Sequence, residues 1–326
     1  MCTRGALCIM SFGDFSKICS KTPLPLCAVV KSTKQVILTN GTTVKNSQAD
    51  VVNLGILPVC YARSIDVANT IIYEIGNAFI NILTLFLLMI IIFNVRQKVT
   101  AIGRSEYSFF FQMCFVLTVI TLVVDCGVSP PGSDSYPYLV AAQLGLAGAC
   151  CWIMSVLGLL GFRLWEDGTL KSMFLMYGMA GCGFLLNFMV SIVTFKDWLQ
   201  GNSNTSTNAT GVFVVMYVIN ALALFIYVVC LIIVSVKVLN NYWATGSILL
   251  CVFFFVAGQV LMYTLSNTMC EGLNHYLDGL FIGSLGNMFA IMMLYKNWDM
   301  STDDDLEFSV SIDSNGYTTF NSDMKL

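Results

Sequence analysis

Ile75-Gly-Asn-Ala-Phe-Ile-Asn-Ile-Leu-Thr-Leu-Phe-Leu-Leu-Met-Ile-Ile-Ile-Phe-Asn-Val95 holds no charged residue and is followed at once by Arg96 and Lys98. A helix rises about 1.5 Å per residue, so roughly 20 apolar residues cross the hydrocarbon core of a bilayer. This stretch belongs to the first of seven such runs, at about 70–95, 108–128, 139–162, 172–195, 211–236, 245–265 and 276–295, each end placed to about 2–4 residues. Every run is too long and continuous for a buried soluble strand, and within lipid a helix satisfies its own backbone. Only 11% of the residues are charged and mean hydropathy is +0.77, which excludes the soluble globular class. The expected fold is all-α: a polytopic membrane protein with seven transmembrane helices. It divides into an N-terminal cap (1–69), the bundle (70–295) and an acidic tail (296–326). Punctuation agrees: Ser129-Pro-Pro-Gly132 closes the second run, and Lys196-Asp197 closes the fourth.

Charge orients the bundle. Loops after the odd runs carry Arg96, Lys98, Arg104, Arg163, Lys171 and Lys237, whereas those after the even runs carry only Lys196. Lys and Arg in short loops are retained in the cytoplasm, so the N-terminus is expected to be lumenal and the C-terminus cytoplasmic. Arg4, Lys17, Lys21, Lys31, Lys34, Lys45 and Arg63 oppose this, but most lie far from the first run, where the rule loses force. Asn-X-Ser/Thr acceptors at Asn40, Asn204 and Asn208 all fall on the expected lumenal side and are candidates for glycosylation. Asn40 is the best placed, since the other two sit in a short loop. Residues 1–9 lack the apolar core of a cleavable signal peptide. The first span is therefore expected to serve as an uncleaved anchor, with Met1 and Met10 both open as the start.

Of 13 cysteines, those inside the runs read as small packing residues. Cys2, Cys8, Cys19, Cys27, Cys60 and Cys270 fall on the expected lumenal, oxidising side. Cys19, Cys27, Cys60 and Cys270 are expected to form two bridges, with three pairings open, one of them tying the tail to the loop before the seventh run. Pro23 and Pro25 disfavour helix nearby, and Val36-Ile37-Leu38 before Asn40-Gly41 reads as a short strand and turn.

Polar groups inside a bilayer are costly and need partners or roles. Glu74, Asn77 and Asn81 share one helical face at i, i+3 and i+7, a face expected to look inward. Gln143, Asn187, Asn220, Gln259 and Asn287 are isolated amides in other runs. Either they line a polar pathway or they hydrogen-bond between helices; the second is favoured, because amides dominate and the candidate carboxylates, Glu74 and Asp125, lie near run ends. Ala141, Gly145 and Ala149 form one small-residue stripe and Gly279 and Gly283 another, suited to close packing within the bundle or against a client helix.

Nothing reads as a catalytic centre. His275, beside Asp278, is the single histidine, which excludes multi-histidine zinc motifs. No nucleophile elbow or phosphate-binding glycine loop appears. No enzymatic role, cofactor, metal or nucleic-acid partner is expected, and lipid is the evident surrounding. In the tail, Asp299, Asp303, Asp304, Asp305, Glu307, Asp313 and Asp323 face only Lys296 and Lys325. Such a tail is usually a solvated end, but Asp305 and Glu307 form an acidic-X-acidic triplet that a basic pocket on a vesicle coat could read as an export signal.

Seven strings in order resemble the fungal chitin synthase export chaperone family. They are Cys19-Ser-Lys-Thr-Pro-Leu-Pro-Leu-Cys27, Pro58-Val-Cys-Tyr-Ala-Arg63, Val124-Asp-Cys-Gly-Val-Ser-Pro-Pro-Gly132, Leu164-Trp-Glu-Asp-Gly168, Phe253-Phe-Phe-Val-Ala-Gly-Gln259, His275-Tyr-Leu-Asp-Gly-Leu-Phe281 and Asp303-Asp-Asp-Leu-Glu-Phe308. The resemblance implies a seven-helix, non-enzymatic protein of the endoplasmic reticulum membrane. Its client is a polytopic chitin synthase, which it protects from aggregation and releases for export, and which it could accompany to the plasma membrane as a persistent subunit. Seven spans also suit a G-protein-coupled receptor, but Phe162-Arg163-Leu164 stands where Asp-Arg-Tyr would, and no Asn-Pro-X-X-Tyr follows. A transporter built from two related halves is disfavoured by the odd number of spans and the lack of an evident repeat.

Overall fold

The computed structural model describes residues 15–30, 55–56, 58–60, 62–67, 70–98, 101–162, 168–196, 198, 209–239 and 242–307. Seven helices among them are long and apolar enough to cross a membrane. The first four are α2 (Ile75–Gln97), α3 (Arg104–Asp125), α4 (Tyr136–Leu160) and α5 (Leu170–Phe195). The fifth span, Thr210–Lys237, is composite. A short α6 (Thr210–Phe213) leads into a π-helical stretch (Val214–Ile219), then α7 (Asn220–Ile233), then a second π stretch (Val234–Leu239). The last two are α8 (Tyr242–Gly272) and α9 (Gly279–Glu307). Before the bundle come α1 (Ser16–Lys21), a 3-10 turn (Pro25–Ala28) and a two-stranded antiparallel ribbon of β1 (Ile65–Val67) and β2 (Thr70–Ile72), with Asp66 opposite Ile71.

Local chemistry sets the helix ends. Gly103, at φ +69°, turns the chain into α3, a conformation that glycine adopts without strain. Thr169 caps α5 through its hydroxyl oxygen, which accepts from the Ser172 N–H at 3.4 Å. A proline in the first turn of α4 removes an N–H that would have no partner there. α8 and α9 outrun the apolar text, since α9 continues past residue 296 to Glu307 and carries helix into the acidic tail. Hydropathy marks where a chain leaves lipid; helical hydrogen bonding can continue beyond that point.

Neighbours in sequence pair as hairpins: α2 with α3, α4 with α5, and α8 with α9. α4 also packs on α3 and α7, while α9 closes the bundle against α2. One apolar core joins Leu88, Phe111, Ile153, Leu157, Met176 and Tyr227 from five spans. A second core packs Phe15, Leu26 and Val30 of the N-terminal segment onto Val124, Tyr136, Val140, Ile192 and Met262 at one end of the bundle. At the opposite end Lys98 forms an ion pair with Asp299, and Trp298 Nε1 donates to the Ile102 carbonyl at 3.1 Å. These contacts fasten the far end of α9 to the α2–α3 turn.

Candidate functional site

Three polar regions merit attention, and the first is the cap. Disulfides join Cys19 to Cys27 and Cys60 to Cys270. The second ties the segment before α2 to the end of α8. Around it the Thr22 hydroxyl donates to the Met262 carbonyl at 3.2 Å, the Tyr136 hydroxyl to the Pro25 carbonyl at 3.3 Å, and the Arg63 N–H to the His275 carbonyl at 2.8 Å. The Arg63 guanidinium also lies 5.1 Å from the centre of the Tyr276 ring. His275 Nδ1 is 3.2 Å from Cys60 Sγ. Cys60, Cys270 and His275 thus cluster as a metal site would, but the two sulfurs are bonded to each other and offer no thiolate.

Beneath the cap lies a buried acid–amide cluster. Asn77 and Asn81 project from one face of α2, and each donates to Asp125 Oδ2 at 2.8 Å. Ser284 of α9 donates in turn to Asn77 Oδ1. Three helices are joined through one carboxylate and two amides. Glu74, just ahead of α2, has a buried Oε2 without a hydrogen-bond partner. Burial first, then the Asp278 and Asp125 charges, push its carboxyl well above the usual carboxylate range. Asp278, 2% exposed, accepts from the Phe281 N–H at 3.2 Å through Oδ1 and leaves Oδ2 unpartnered. Its carboxyl is likewise pushed up by burial. The 3.6-residue period marked the face of Asn77 and Asn81, but Glu74, expected on the same helical face, precedes the helix in non-helical backbone. Nothing in the sequence marked Ser284, or Asp278 as a neighbour of this cluster, because both arrive from residues two hundred positions away.

The third region is the set of mid-span amides. Asn187 and Asn220 pair reciprocally, with Asn220 Nδ2 donating to Asn187 Oδ1 at 2.9 Å. Gly148 makes the room: a Cβ there would lie 2.0 Å from Asn187 Nδ2. Gln143 Nε2 donates to Thr121 Oγ1 at 3.2 Å, and Tyr217 and Tyr263 share a 2.7 Å hydroxyl bond. Most amides therefore have partners between helices, the arrangement expected of bundle glue. One pair differs. Gln259 Nε2 donates to Asn287 Oδ1 at 3.3 Å on the outer surface of the bundle.

Both small-residue stripes lie inside the bundle. Ala141, Gly145 and Ala149 are buried, and a Cβ on Gly145 would touch Phe184 at 2.9 Å. A Cβ on Gly279 would meet Ser266 at 2.6 Å, and one on Gly283 would meet Met262 at 2.8 Å, so α9 rests on α8 through them. Gly258 and Gly286 bring the same helices together backbone to backbone. Asp305 and Glu307 fall in the last turn of α9. Asn40, Asn204 and Asn208 lie outside the described residues.

The family model for chitin synthase export chaperones matches residues 11–312. A chitin synthase export chaperone of Kluyveromyces lactis is 76% identical over 317 residues, covering 97% of this chain and all of that one. Proteins of the same description from Saccharomyces cerevisiae and Aspergillus clavatus are 58% and 44% identical, covering 94% of this chain in each case and 97% and 87% of their own. No solved structure matches.

Proposed function

The chain belongs to the chitin synthase export chaperone family, and we propose that it binds a polytopic chitin synthase in the endoplasmic reticulum membrane, prevents its aggregation and permits its export toward the cell wall. The observation that carries this reading is the family match over residues 11–312. The family is one of chaperones, so no catalytic residue is sought.

Placement of charge and sulfur supports the orientation. Both disulfides sit at one end of the bundle, and Arg96, Lys98, Arg104 and Lys171 at the other. A lumenal cap and a cytoplasmic C-terminus satisfy both the oxidising requirement of the bridges and the retention of basic loops. On this orientation Asn40, Asn204 and Asn208 face the glycosylating compartment.

We place the client contact on the outer face of α8 and α9. Gln259 and Asn287 sit well inside their helices, away from either membrane surface. The bond between them leaves Gln259 Oε1 and Asn287 Nδ2 without a protein partner among the described residues. Amide groups facing hydrocarbon are unfavourable unless another helix satisfies them. A chitin synthase span with its own polar side chain would do so, masking its polar group until assembly. The Ala141–Gly145–Ala149 and Gly279–Gly283 stripes are already occupied within the bundle. Export by a vesicle coat reading Asp305 and Glu307 carries a structural condition. Residues i and i+2 do not face one another on a helix, so the last turn of α9 must unwind for one pocket to take both carboxylates.

The deciding experiment is localisation of a tagged chitin synthase in cells lacking this protein, with and without its re-expression. Retention in the endoplasmic reticulum, reversed by re-expression, is the expected result. Normal delivery with normal chitin refutes the export reading.

A further inference from the structure

We propose that the cleft between α2, α3 and α5 at the basic end of the bundle binds the headgroup of an anionic phospholipid. The cleft has a volume of about 360 Å³, and Arg96, Arg104, Ser105 and Ser108 form its polar part. Arg96 stands in the last turn of α2 and Arg104 opens α3. Among the described residues neither arginine has an ion-pair partner. The nearest acid in sequence, Glu106, points elsewhere: its Oε1 accepts from the Gly168 N–H at 2.8 Å and the Ser172 hydroxyl at 2.6 Å. Gln112 Nε2 donates to Ser108 Oγ at 3.1 Å. That bond occupies an acceptor position and leaves the Ser108 hydroxyl proton free to donate into the cleft. No side chain caps the first turn of α3, so the positive end of its dipole adds to the two guanidinium groups.

A phosphodiester or phosphomonoester fits this set of donors. Each guanidinium presents a planar fork matched to two phosphate oxygens, and the serine hydroxyl can take a third. The rest of the cleft selects a lipid over a free anion. Phe109 and Tyr177 form its apolar wall, their rings edge to face with centroids 4.7 Å apart. Both lie one to two turns further into the membrane than Arg104 and the start of α5. The cleft therefore runs from cationic at the helix ends to aromatic within the span, the same order as a phospholipid from headgroup to acyl chain. On the orientation argued above it opens in the cytoplasmic leaflet, where anionic lipids reside.

The test uses the full-length protein in detergent and native mass spectrometry. The probes are dioleoyl phosphatidylserine, dioleoyl phosphatidylcholine and inorganic phosphate. The expected result is one retained phosphatidylserine, favoured about tenfold or more over phosphatidylcholine and not displaced by millimolar phosphate. The Arg96→Gln, Arg104→Gln double variant, which removes both guanidinium forks, should lower that retention at least about tenfold. Lys296→Gln, which removes a charge at the same end but outside the cleft, should leave it unchanged. Equal retention of the two lipids, or no loss in the double variant, overturns the proposal. Displacement by phosphate also overturns it, in favour of a free-anion site. If the double variant does not fold, a phosphatidylserine with a photoreactive acyl chain decides on the wild-type protein. Adducts concentrated on the segments holding Phe109 and Tyr177 support the site, and adducts spread evenly over the spans reject it.

Discussion

α4 and α8 are both long apolar helices, yet half of the apolar window of α4 is buried inside the protein and only 17% of that of α8. α4 is the less apolar of the two. In water the more apolar helix would be the more buried; in lipid that ordering has no force, because surrounding acyl chains are as apolar as leucine. What places α4 at the centre is small residues. Ala141, Gly145, Gly148, Ala149 and Gly158 let α5 and α7 approach it closely. α8 has its own close contact at Gly258, but on one side only, facing Gly286 of α9. Its remaining surface carries Leu249, Phe253, Val256 and Val260, all exposed, a face for lipid or for another protein's helices.

The sharpest way to break this contrast is to enlarge Gly148. A Cβ there lies 2.0 Å from Asn187 Nδ2 and 2.4 Å from its Cγ, so Gly148→Val must displace the Asn187 side chain and disrupt the Asn187–Asn220 pair. Overpacking costs about 1–3 kcal/mol or more, to which the displaced amides add about 1–3 kcal/mol. The expected outcome is loss of a monodisperse species in size-exclusion chromatography. Leu249→Ala on α8, 55% exposed, should elute as wild type. If the two variants behave alike, small-residue packing does not distinguish the helices.

A second comparison opposes the two bridges. Cys60–Cys270 closes a separation of 210 residues and Cys19–Cys27 one of 8. Native disulfides contribute about 2–4 kcal/mol, with longer loops at the higher end. Cys60→Ser with Cys270→Ser should therefore lower the thermal midpoint more than Cys19→Ser with Cys27→Ser, and freeing the segment before α2 should expose the acid–amide cluster. Thermal melts of both double variants check the order, and an equal or reversed order removes the long bridge as the main tie between cap and bundle.

Spans, helix class and the inward face of α2 were legible because they depend on local text: runs of some 20 apolar residues and a 3.6-residue period. The four cysteines that bond were readable from their place outside the apolar runs, at one end of the bundle, but not which bonds to which, since pairing depends on how α8 returns to the cap. The cluster around Asp125 was half legible. Asn77 and Asn81 announce a polar face, while Ser284 and Asp278 come from the far end of the chain and look like ordinary residues at the start of α9. Arg96 and Arg104 were read only as markers of orientation, because a sequence shows the sign of a loop and not the cleft its side chains enclose. The extension of α9 to Glu307 was missed for a different reason: three consecutive aspartates read as a solvated tail, and a helix started in lipid continued through them.

The acid cluster beneath the cap gives the contrast a pH dependence. Burial and like charge raise the Glu74 carboxyl, and burial raises that of Asp278, with Asp125 the remaining acid facing them. A carboxyl raised on folding binds its proton more tightly in the native state than in the unfolded state. Stability is then greatest below the ordinary values of 4.5 and 3.8 and falls as pH climbs from there toward the raised native values. Wild-type protein should melt at a lower temperature at pH 8 than at pH 5. Glu74→Gln should flatten that slope, and so should Asp278→Asn, which keeps an acceptor for the Phe281 N–H. A slope unchanged in both variants assigns the pH dependence to other groups.

The smallest expected effect on stability falls at the outer amide pair, and there it separates folding from function. Replacing Gln259 and Asn287 with leucine removes one interhelical bond, worth about 0.6 kcal/mol by the average for membrane proteins, and exchanges two lipid-facing amides for apolar side chains. The thermal midpoint should stay within a degree or two of wild type, or rise, by the size scaling of small free-energy changes. Recovery of chitin synthase in a detergent pull-down should nevertheless fall several-fold, with the synthase held in the endoplasmic reticulum. The variant Gln143→Leu is the matched control, because that amide bonds to Thr121 within the bundle and should affect folding without selectively weakening client recovery. If both variants lose client in proportion to their loss of stability, the exposed pair is glue like the rest. If only the outer-pair variant loses client, with its thermal midpoint held, the least buried span is where the client docks.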